Sequence, residues 1–306
     1  MAGPQGIAVT GSRLDFVPQE EFFVPGHTAC PGCGAALALR HFLKVLGPET
    51  VVVIPACCWA IIAGAFPYTS LIVPGTNTAF ACAAAVASGI KAALRKRGRP
   101  DIHVLAWAGD GGTYDIGLQA LSGAVERNED IIYVCYDNEG YMNTGIQRSG
   151  STPYGAWTTT TPAEHPKDRP KKDLVDLISA HKIPYAATLS LGYLDDFYAK
   201  VEKAKKIRGT RFFHVACPCP PGWKANSKDT IKLARLIADC GIMPLLEVER
   251  GVRYRYSVKP KGTPVREYLR LQGRFAHFTE EDVRFFQKMV DDELSRVTER
   301  TKHPLE

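Results

Sequence analysis

The stretch AGDGGTYDIGLQALSGAVERNEDIIYVCYDNEGYMNTGIQRSGST, residues 108–152, decides the fold of this chain. The apolar run Ile102 to Ala108 enters it and reads as a buried strand. Gly109-Asp110-Gly111-Gly112 then turns into a helical segment, Gly117 to Arg127. A second apolar run, Ile131 to Tyr136, ends in Asp137-Asn138-Glu139-Gly140. Strand, helix and strand in that order make a parallel pair, whose carboxyl ends lie at one sheet edge, where open α/β sheets take their ligands. Asp110 and Asn138, 28 positions apart, are thereby expected side by side.

A carboxylate, an amide oxygen and the carbonyl of a turn near Gly140 form an all-oxygen donor set. Such a set suits a hard cation like Mg²⁺, which shares its ligands with substrate phosphates. Gly109, Gly111 and Gly112 let backbone N–H groups approach a phosphate closely, and the start of the helix beyond them favours an anion. The ligand implied is a diphosphate held through a metal. A Gly-Asp-Gly by itself is also what a tight strand-to-helix turn looks like; the correctly spaced Asp-Asn strand end decides for the ligand. The pair resembles the thiamine-diphosphate motif, Gly-Asp-Gly followed by Asn about thirty residues on.

Outward from this stretch, strands and helices alternate. The sequence predicts a helix over Ala35–Leu46, a strand over Thr50–Pro55, a strand over Ser70–Val73 and a small-residue helix from about Thr78 to Arg95. Residues 153–172 read as a long loop, of a length that in compact domains is often functional. A helix (Asp173–His181), a strand (Tyr185–Leu189), a helix (Leu194–Ile207) and a strand (Arg211–Ala216) follow. The last part holds a helix (Asp229–Cys240), a strand pair (Leu245–Ser257) and a helix from Glu280 to Arg300. This is an α/β pattern, a mostly parallel sheet with helices on both faces. Residues 1–306 are read as one domain with an irregular N-terminal arm and a C-terminal helical extension.

With 306 residues, 45% of them apolar and 23% charged, the chain has the composition of a soluble globular protein with ample core. It contains neither a transmembrane-length apolar run nor a signal-peptide layout, so a cytoplasmic location is expected. The net charge is +6, with basic clusters at Lys91–Arg99, Lys167–Lys172 and Lys203–Arg208. These read as solvated faces, or as docking sites for an acidic protein. No aromatic-interleaved basic motif points to nucleic acid.

Nine cysteines are many for a reducing compartment, where clustered spacing is read first as metal or redox chemistry. Cys30 and Cys33 form a Cys-x-x-Cys, Cys58 follows a strand, and Cys217 and Cys219 flank a proline at another strand end. Such a set admits a [4Fe–4S] cluster, tetrahedral zinc or free redox thiols. Cys82, Cys135 and Cys240 sit in apolar sequence and read as packing residues.

Together these features resemble the thiamine-binding β subunit of the 2-oxoacid:ferredoxin oxidoreductases, above all its pyruvate branch, over roughly Phe16 to Arg274. The resemblance is carried by HTACPGCGAALALR (27–40), AAAVASGIKAAL (83–94), residues 109–162, PCPPGW (218–223) and EYLRLQGRF (267–275). It implies thiamine diphosphate with Mg²⁺ on Asp110, Asn138 and the carbonyl of Gly140, in a site that includes Gly109, Gly111, Gly112, Cys58 and Thr144. Asn143 would stand beside the reactive thiazolium carbon, and Cys30, Cys33, Cys58 and Cys219 would hold a [4Fe–4S] cluster, leaving Cys217 as an extra thiol. It also implies an α subunit that supplies the pyrimidine-binding half and an activating glutamate, γ and ferredoxin-like δ modules, ferredoxin as electron acceptor, and coenzyme A if pyruvate is the substrate.

The chain departs from the pyruvate pattern at Ala56-Cys57-Cys58-Trp59-Ala60 and at Phe80-Ala81-Cys82, where a carboxylate is lost and an indole gained. That departure raises oxalate as a substrate beside pyruvate. A non-redox thiamine-dependent decarboxylase or synthase subunit, its cysteines binding zinc or nothing, is the competing class.

Overall fold

The computed structural model describes residues 17–302; most of the expected N-terminal arm lies outside them. Eight strands form one sheet: β1 (Thr50–Pro55), β2 (Gly75–Thr78), β3 (His103–Gly109), β4 (Ile132–Asp137), β5 (Tyr185–Ser190), β6 (Arg211–Ala216), β7 (Leu245–Glu249) and β8 (Arg253–Val258). Their order is β2-β1-β3-β4-β6-β5-β7-β8. The first six are parallel, and β7 and β8 add an antiparallel edge.

Strict alternation along the central strands explains why both faces are covered. Val52, Ile54, Leu105, Trp107, Ile132 and Val134 point to one side, where α1 (Gly34–Leu46) supplies Leu39 and Phe42. Val53, Val104, Ala106, Ala108, Tyr133 and Cys135 point to the other. That second face is covered by α3 (Ala83–Lys96), α4 (Leu118–Glu126) and α5 (Leu174–Ser179), and α6 (Leu194–Lys205) returns to the first. Ala84 and Ala87 of α3 are fully buried, so the small residues bring that helix close to the sheet. The short α2 (Cys58–Ile62) follows β1 directly. A third apolar cluster joins α7 (Pro220–Trp223), α8 (Thr230–Asp239), α9 (Val265–Leu269) and α10 (Glu280–Lys302).

The strand expected at Ser70–Val73 is not one; the edge strand is Gly75–Thr78, paired with Val52–Pro55. The apolarity of residues 70–73 reflects burial under the N-terminal segment, where Leu71 bridges Phe23 and Ile72 N donates to Phe22 O. The following helix accordingly begins at Ala83 rather than Thr78. Residues 153–172 form no helix or strand, as expected of a long loop. The basic clusters, read as solvated faces or docking sites, are mostly solvent-exposed, with Arg95, Arg99, Arg169 and Arg208 on the surface and only some of the lysines tied into the structure. Lys91 is 1% exposed and bonded to Pro100 O and Ile102 O, and Lys171, Lys172 and Lys203 are ion-paired.

Candidate cofactor site

From β1 the chain goes to β2 on one side and then returns past it to β3 on the other. Ligands of open α/β sheets bind in the crevice at such a switch point, outside the carboxyl ends of the strands. A cavity of about 420 Å³ opens there, within the usual range for cofactor pockets. Its wall is built from residues after β1 (Ala56, Cys57, Cys58), after β3 (Gly109 to Gly112) and after β4 (Asn138, Gly140 to Thr144, Gln147), with Phe80. Every residue expected to touch thiamine diphosphate lines it: Gly109, Asp110, Gly111, Gly112, Asn138, Gly140, Asn143, Thr144 and Cys58.

Parallel pairing explains the convergence, because Gly109 stands opposite Tyr136, one residue before Asp110 and two before Asn138. Beyond Asp110 the backbone makes one wide π-type turn, Gly111–Asp115, before α4 starts. Turns of this kind recur at functional sites. Two contacts fix it: Thr113 Oγ1 donates to Gly109 O at 2.8 Å, and a Cβ on Gly117 would stand 1.9 Å from Gly112 O.

The Asn138 side-chain amide ends 3.1 Å from Asp110 Oδ1 and 2.9 Å from Gly140 O. With its nitrogen turned inward it donates to both. With its oxygen turned inward, the amide stands from each of the other two oxygens at a spacing close to an octahedral edge, about 2.9 Å for Mg–O bonds of 2.0–2.1 Å. Asp110 is 2% exposed, accepts from Ser149 Oγ at 2.5 Å, and has no Lys, Arg or His partner among the described residues. Burial, then the neighbouring Asp137 charge, pushes its carboxyl well above the ordinary value. An isolated buried carboxylate is costly, and a cation bound between these oxygens would offset that cost. The donor set therefore fits Mg²⁺.

Asp137 lies on the far side of Asn138. Burial alone would raise its carboxyl, but Lys171 and a hydrogen bond with His214 (2.7 Å) outweigh that and hold it well below the usual range. Its carboxylate also accepts from Ser151 Oγ at 2.5 Å and from Tyr114 OH at 3.2 Å. Sequence reasoning gave no role to Ser149 and Ser151, although both lie in the quoted stretch; the Ser-Gly-Ser repeat was the available signal. It also missed Tyr141 and Met142, which with Phe80 form the apolar wall of the cavity.

The cysteines come from three segments that meet beside this cavity. Cys58 begins α2 at the end of β1, and Cys219 precedes α7 after β6. Gly34 N donates to Pro218 O at 3.0 Å, which ties the Cys30–Cys33 turn to the Cys217–Cys219 segment. A Cβ on Gly34 would stand 2.8 Å from Pro218 N, so only glycine allows that approach. Burial, then the neighbouring Cys219, pushes the Cys58 thiol up to about 12. Burial likewise raises Cys219 to about 12, with Cys33 and Cys30 adding to it. Cys30, Cys33, Cys58 and Cys219 are thus electrostatic neighbours. Among the described residues no three His, Cys, Asp or Glu side chains are already arranged to hold a metal ion. Cys217, Cys135 and Cys240 are buried packing residues; Cys217 belongs to the core on the α1 face. Cys57, which lines the cavity, donates its thiol to Pro55 O at 2.9 Å.

Residues 57–215 match the family model described as thiamine pyrophosphate enzyme, C-terminal TPP binding domain. The chain is 51% identical over 292 residues to ketoisovalerate oxidoreductase subunit VorB of Pyrococcus horikoshii, covering 92% of this chain and 94% of that protein. It is 50% identical over 286 residues to pyruvate synthase subunit PorB of Methanocaldococcus jannaschii, covering 90% and 96% respectively. In fold it is similar to a chain of the 2-oxoglutarate:ferredoxin oxidoreductase of Magnetococcus marinus, with a TM-score of 0.58 at 21% identity, over 72% of this chain and 81% of that one. Both the match across the sheet's central strands and the full-length relatives agree with the site just described: the chain belongs to the family of thiamine-diphosphate-binding β subunits of 2-oxoacid:ferredoxin oxidoreductases.

Proposed function

We propose that this chain is the cofactor-binding subunit of an oxidoreductase that oxidatively decarboxylates a small aliphatic 2-oxoacid and delivers the electrons to ferredoxin. The observation that carries the reading is the shared wall. Cys58 lines the same cavity as Asp110, Asn138 and Gly140, so a cluster held by Cys30, Cys33, Cys58 and Cys219 would touch the space in which thiamine diphosphate sits. When bound, thiamine diphosphate supplies the electron sink for decarboxylation.

The chain's own residues bind and orient. Asp110, the Asn138 amide oxygen and Gly140 O would hold Mg²⁺ with the diphosphate, and Gly111 and Gly112 allow close backbone approach. Asn143 and Thr144, at the exposed mouth of the cavity, would meet the substrate. The four thiolates of Cys30, Cys33, Cys58 and Cys219 would hold a [4Fe–4S] cluster, which would supply one-electron redox chemistry beside the cofactor cavity. The pyrimidine half and its activating glutamate would come from an α subunit, with γ and δ modules completing the complex, and residues 1–306 would act as one cofactor-binding domain within it.

The lining carries no Lys, Arg or His, whereas Ala56, Phe80 and Met142 offer apolar surface. A second substrate carboxylate, as in oxalate, would find no cation there, while a methyl or isopropyl group would find a matching wall. Similarity to ketoisovalerate and pyruvate enzymes supports the same choice. Pyruvate or a branched 2-oxoacid, with coenzyme A as acyl acceptor, is therefore placed ahead of oxalate. The test is anaerobic purification of the complex, assay of iron, sulfide and thiamine, and turnover of pyruvate, 2-oxoisovalerate and oxalate with a low-potential dye. Colourless protein containing zinc would point to the non-redox decarboxylase or synthase instead, and turnover of oxalate alone would overturn the substrate assignment.

A further inference from the structure

Glu139 stands between Asn138 and Gly140 without being one of the expected ligands. Its φ of 66° is left-handed, a conformation rare for a residue with a side chain. Across that turn the Asn138 amide reaches Gly140 O at 2.9 Å and Asp110 Oδ1 at 3.1 Å. The backbone on either side has its own partners: Trp223 Nε1 donates to Asn138 O at 2.7 Å, and Thr152 Oγ1 donates to Glu139 O at 2.9 Å.

The Glu139 side chain is 1% exposed and lies between two cations. Lys171 Nζ is 2.8 Å from Oε1, and Arg274 Nη2 is 2.5 Å from Oε2. Each cation is fixed a second time against the same loop. Lys171 also donates to Asp137 Oδ2 at 3.2 Å, and Asp137 Oδ1 accepts from Glu139 N at 3.0 Å. Arg274 lies over the Trp223 ring at 4.2 Å, the ring whose N–H holds Asn138 O. The two cations match the charges of Asp137 and Glu139, leaving Asp110 as the uncompensated carboxylate at the cation site.

We propose that Lys171 and Arg274 are positioning residues. Through the Glu139 carboxylate they hold the left-handed turn that brings the Asn138 side chain and the Gly140 carbonyl onto Asp110. This rests on the reading of Asp110, Asn138 and Gly140 as the Mg²⁺–diphosphate site. It gives the 153–172 loop and the EYLRLQGRF stretch a common task, since each contributes one of the cations. Ionic glue for the C-terminal extension is the plainer alternative. Buried ion pairs, however, are weak stabilisers when compared with apolar replacements, and here both cations converge on one strained residue of the ligand loop.

The alternatives separate in Glu139→Gln, Arg274→Met and the double variant, each made in the intact complex. Thiamine diphosphate affinity is titrated at fixed Mg²⁺ and, separately, the urea midpoint is measured. Arg274→Met is expected to weaken cofactor binding 10–100-fold, as removal of a group that orients a metal ligand does. In the double variant no charge is left unpaired, so the midpoint returns toward wild type while affinity stays at least tenfold down; Arg274→Lys recovers part of it. Recovery of affinity together with stability would overturn the proposal, as would wild-type affinity in a stable Arg274→Met. If Arg274→Met does not fold, the isosteric Glu139→Gln decides, with unchanged affinity counting against the proposal. Asp110→Ala serves as the separate control. Undiminished cofactor binding there overturns the reading of the site, whereas binding lost in Asp110→Ala but kept in the other variants overturns only the positioning role.

Discussion

Gly111 and Gly112 look interchangeable in sequence, but the structure makes them unequal, and that difference can be tested. A Cβ on Gly111 would stand 2.0 Å from Tyr141 Cε1, 2.4 Å from Cδ1 and 3.1 Å from Phe80 Cζ. Carbon atoms rest about 3.5–4.0 Å apart, so the tyrosine ring would have to retreat by about 1.5 Å. It is held at both ends: its hydroxyl donates to Asp115 Oδ2 at 2.6 Å, and its backbone N–H donates to Gln147 O at 2.9 Å. Asp115 is anchored in turn by Gly150 N at 2.9 Å and Lys172 Nζ at 3.0 Å. Overpacking costs about 1–3 kcal/mol, and breaking a hydrogen bond to a charged group about 1.5–3 kcal/mol. Gly111→Ala should therefore lose about 2.5–6 kcal/mol, or else push the ring into the cofactor cavity and lose thiamine diphosphate binding. On Gly112 the nearest contact would be Phe80 Cε2 at 3.3 Å, so Gly112→Ala needs a shift of only a few tenths of an ångström. Urea denaturation and a thiamine diphosphate titration of the two variants side by side make the measurement. If Gly111→Ala matches Gly112→Ala in both midpoint and affinity, the argument from the Tyr141 contact is wrong.

Other expectations follow from single sites. Cys58→Ala should lower iron and sulfide in the anaerobically purified complex while thiamine diphosphate binding survives; undiminished iron would remove Cys58 from the cluster. Lys91 is 1% exposed and donates to Pro100 O at 2.6 Å and Ile102 O at 2.8 Å, with Asp130 Oδ2 at 3.1 Å. Lys91→Ala leaves Asp130 to Arg211 and Arg208, removes a donor to Ile102 O and leaves Pro100 O only the long contact from Arg208 Nη1 at 3.4 Å, so a loss of about 3 kcal/mol is expected. Because Lys91 lies outside the cofactor cavity, denaturation should register the change and cofactor titration should not. His41 and His103 are each held down to about 4, chiefly by burial and then by nearby cations, Arg40 for the first and Arg211 for the second. The unfolded chain takes up these protons first, near the ordinary value of 6.5. Their effect on stability is therefore absent above about pH 6.5 and destabilising as pH falls from there toward about 4. His103→Gln should flatten the urea midpoint between pH 7 and pH 5, and an unchanged slope would show that His103 does not contribute.

What could be read from sequence, and what could not, divides along a physical line. The central strands were legible because burial on both faces makes them continuous apolar runs. The pairing of Asp110 with Asn138 followed from parallel topology alone. The edge strand Gly75–Thr78 was not legible, since GTNT has only one neighbour to pair with and is mostly exposed; the apolar residues 70–73 beside it are buried for another reason. Lys171 and Arg274 were hidden for a deeper cause. Charged residues in loops ordinarily face water, and their meaning here comes from meeting Glu139 across 32 and 135 positions. Glu139 itself breaks two local rules at once, as a buried carboxylate in a left-handed conformation. Sequences depart from local preference where a site demands it, and the supports for such a departure are supplied from elsewhere in the chain. The strand ends place the proposed ligands, and a loop and a C-terminal segment that fold onto the turn between them would hold it. Truncating the chain before Arg274 should accordingly cost the cofactor site its geometry even though every residue lining the cavity would remain.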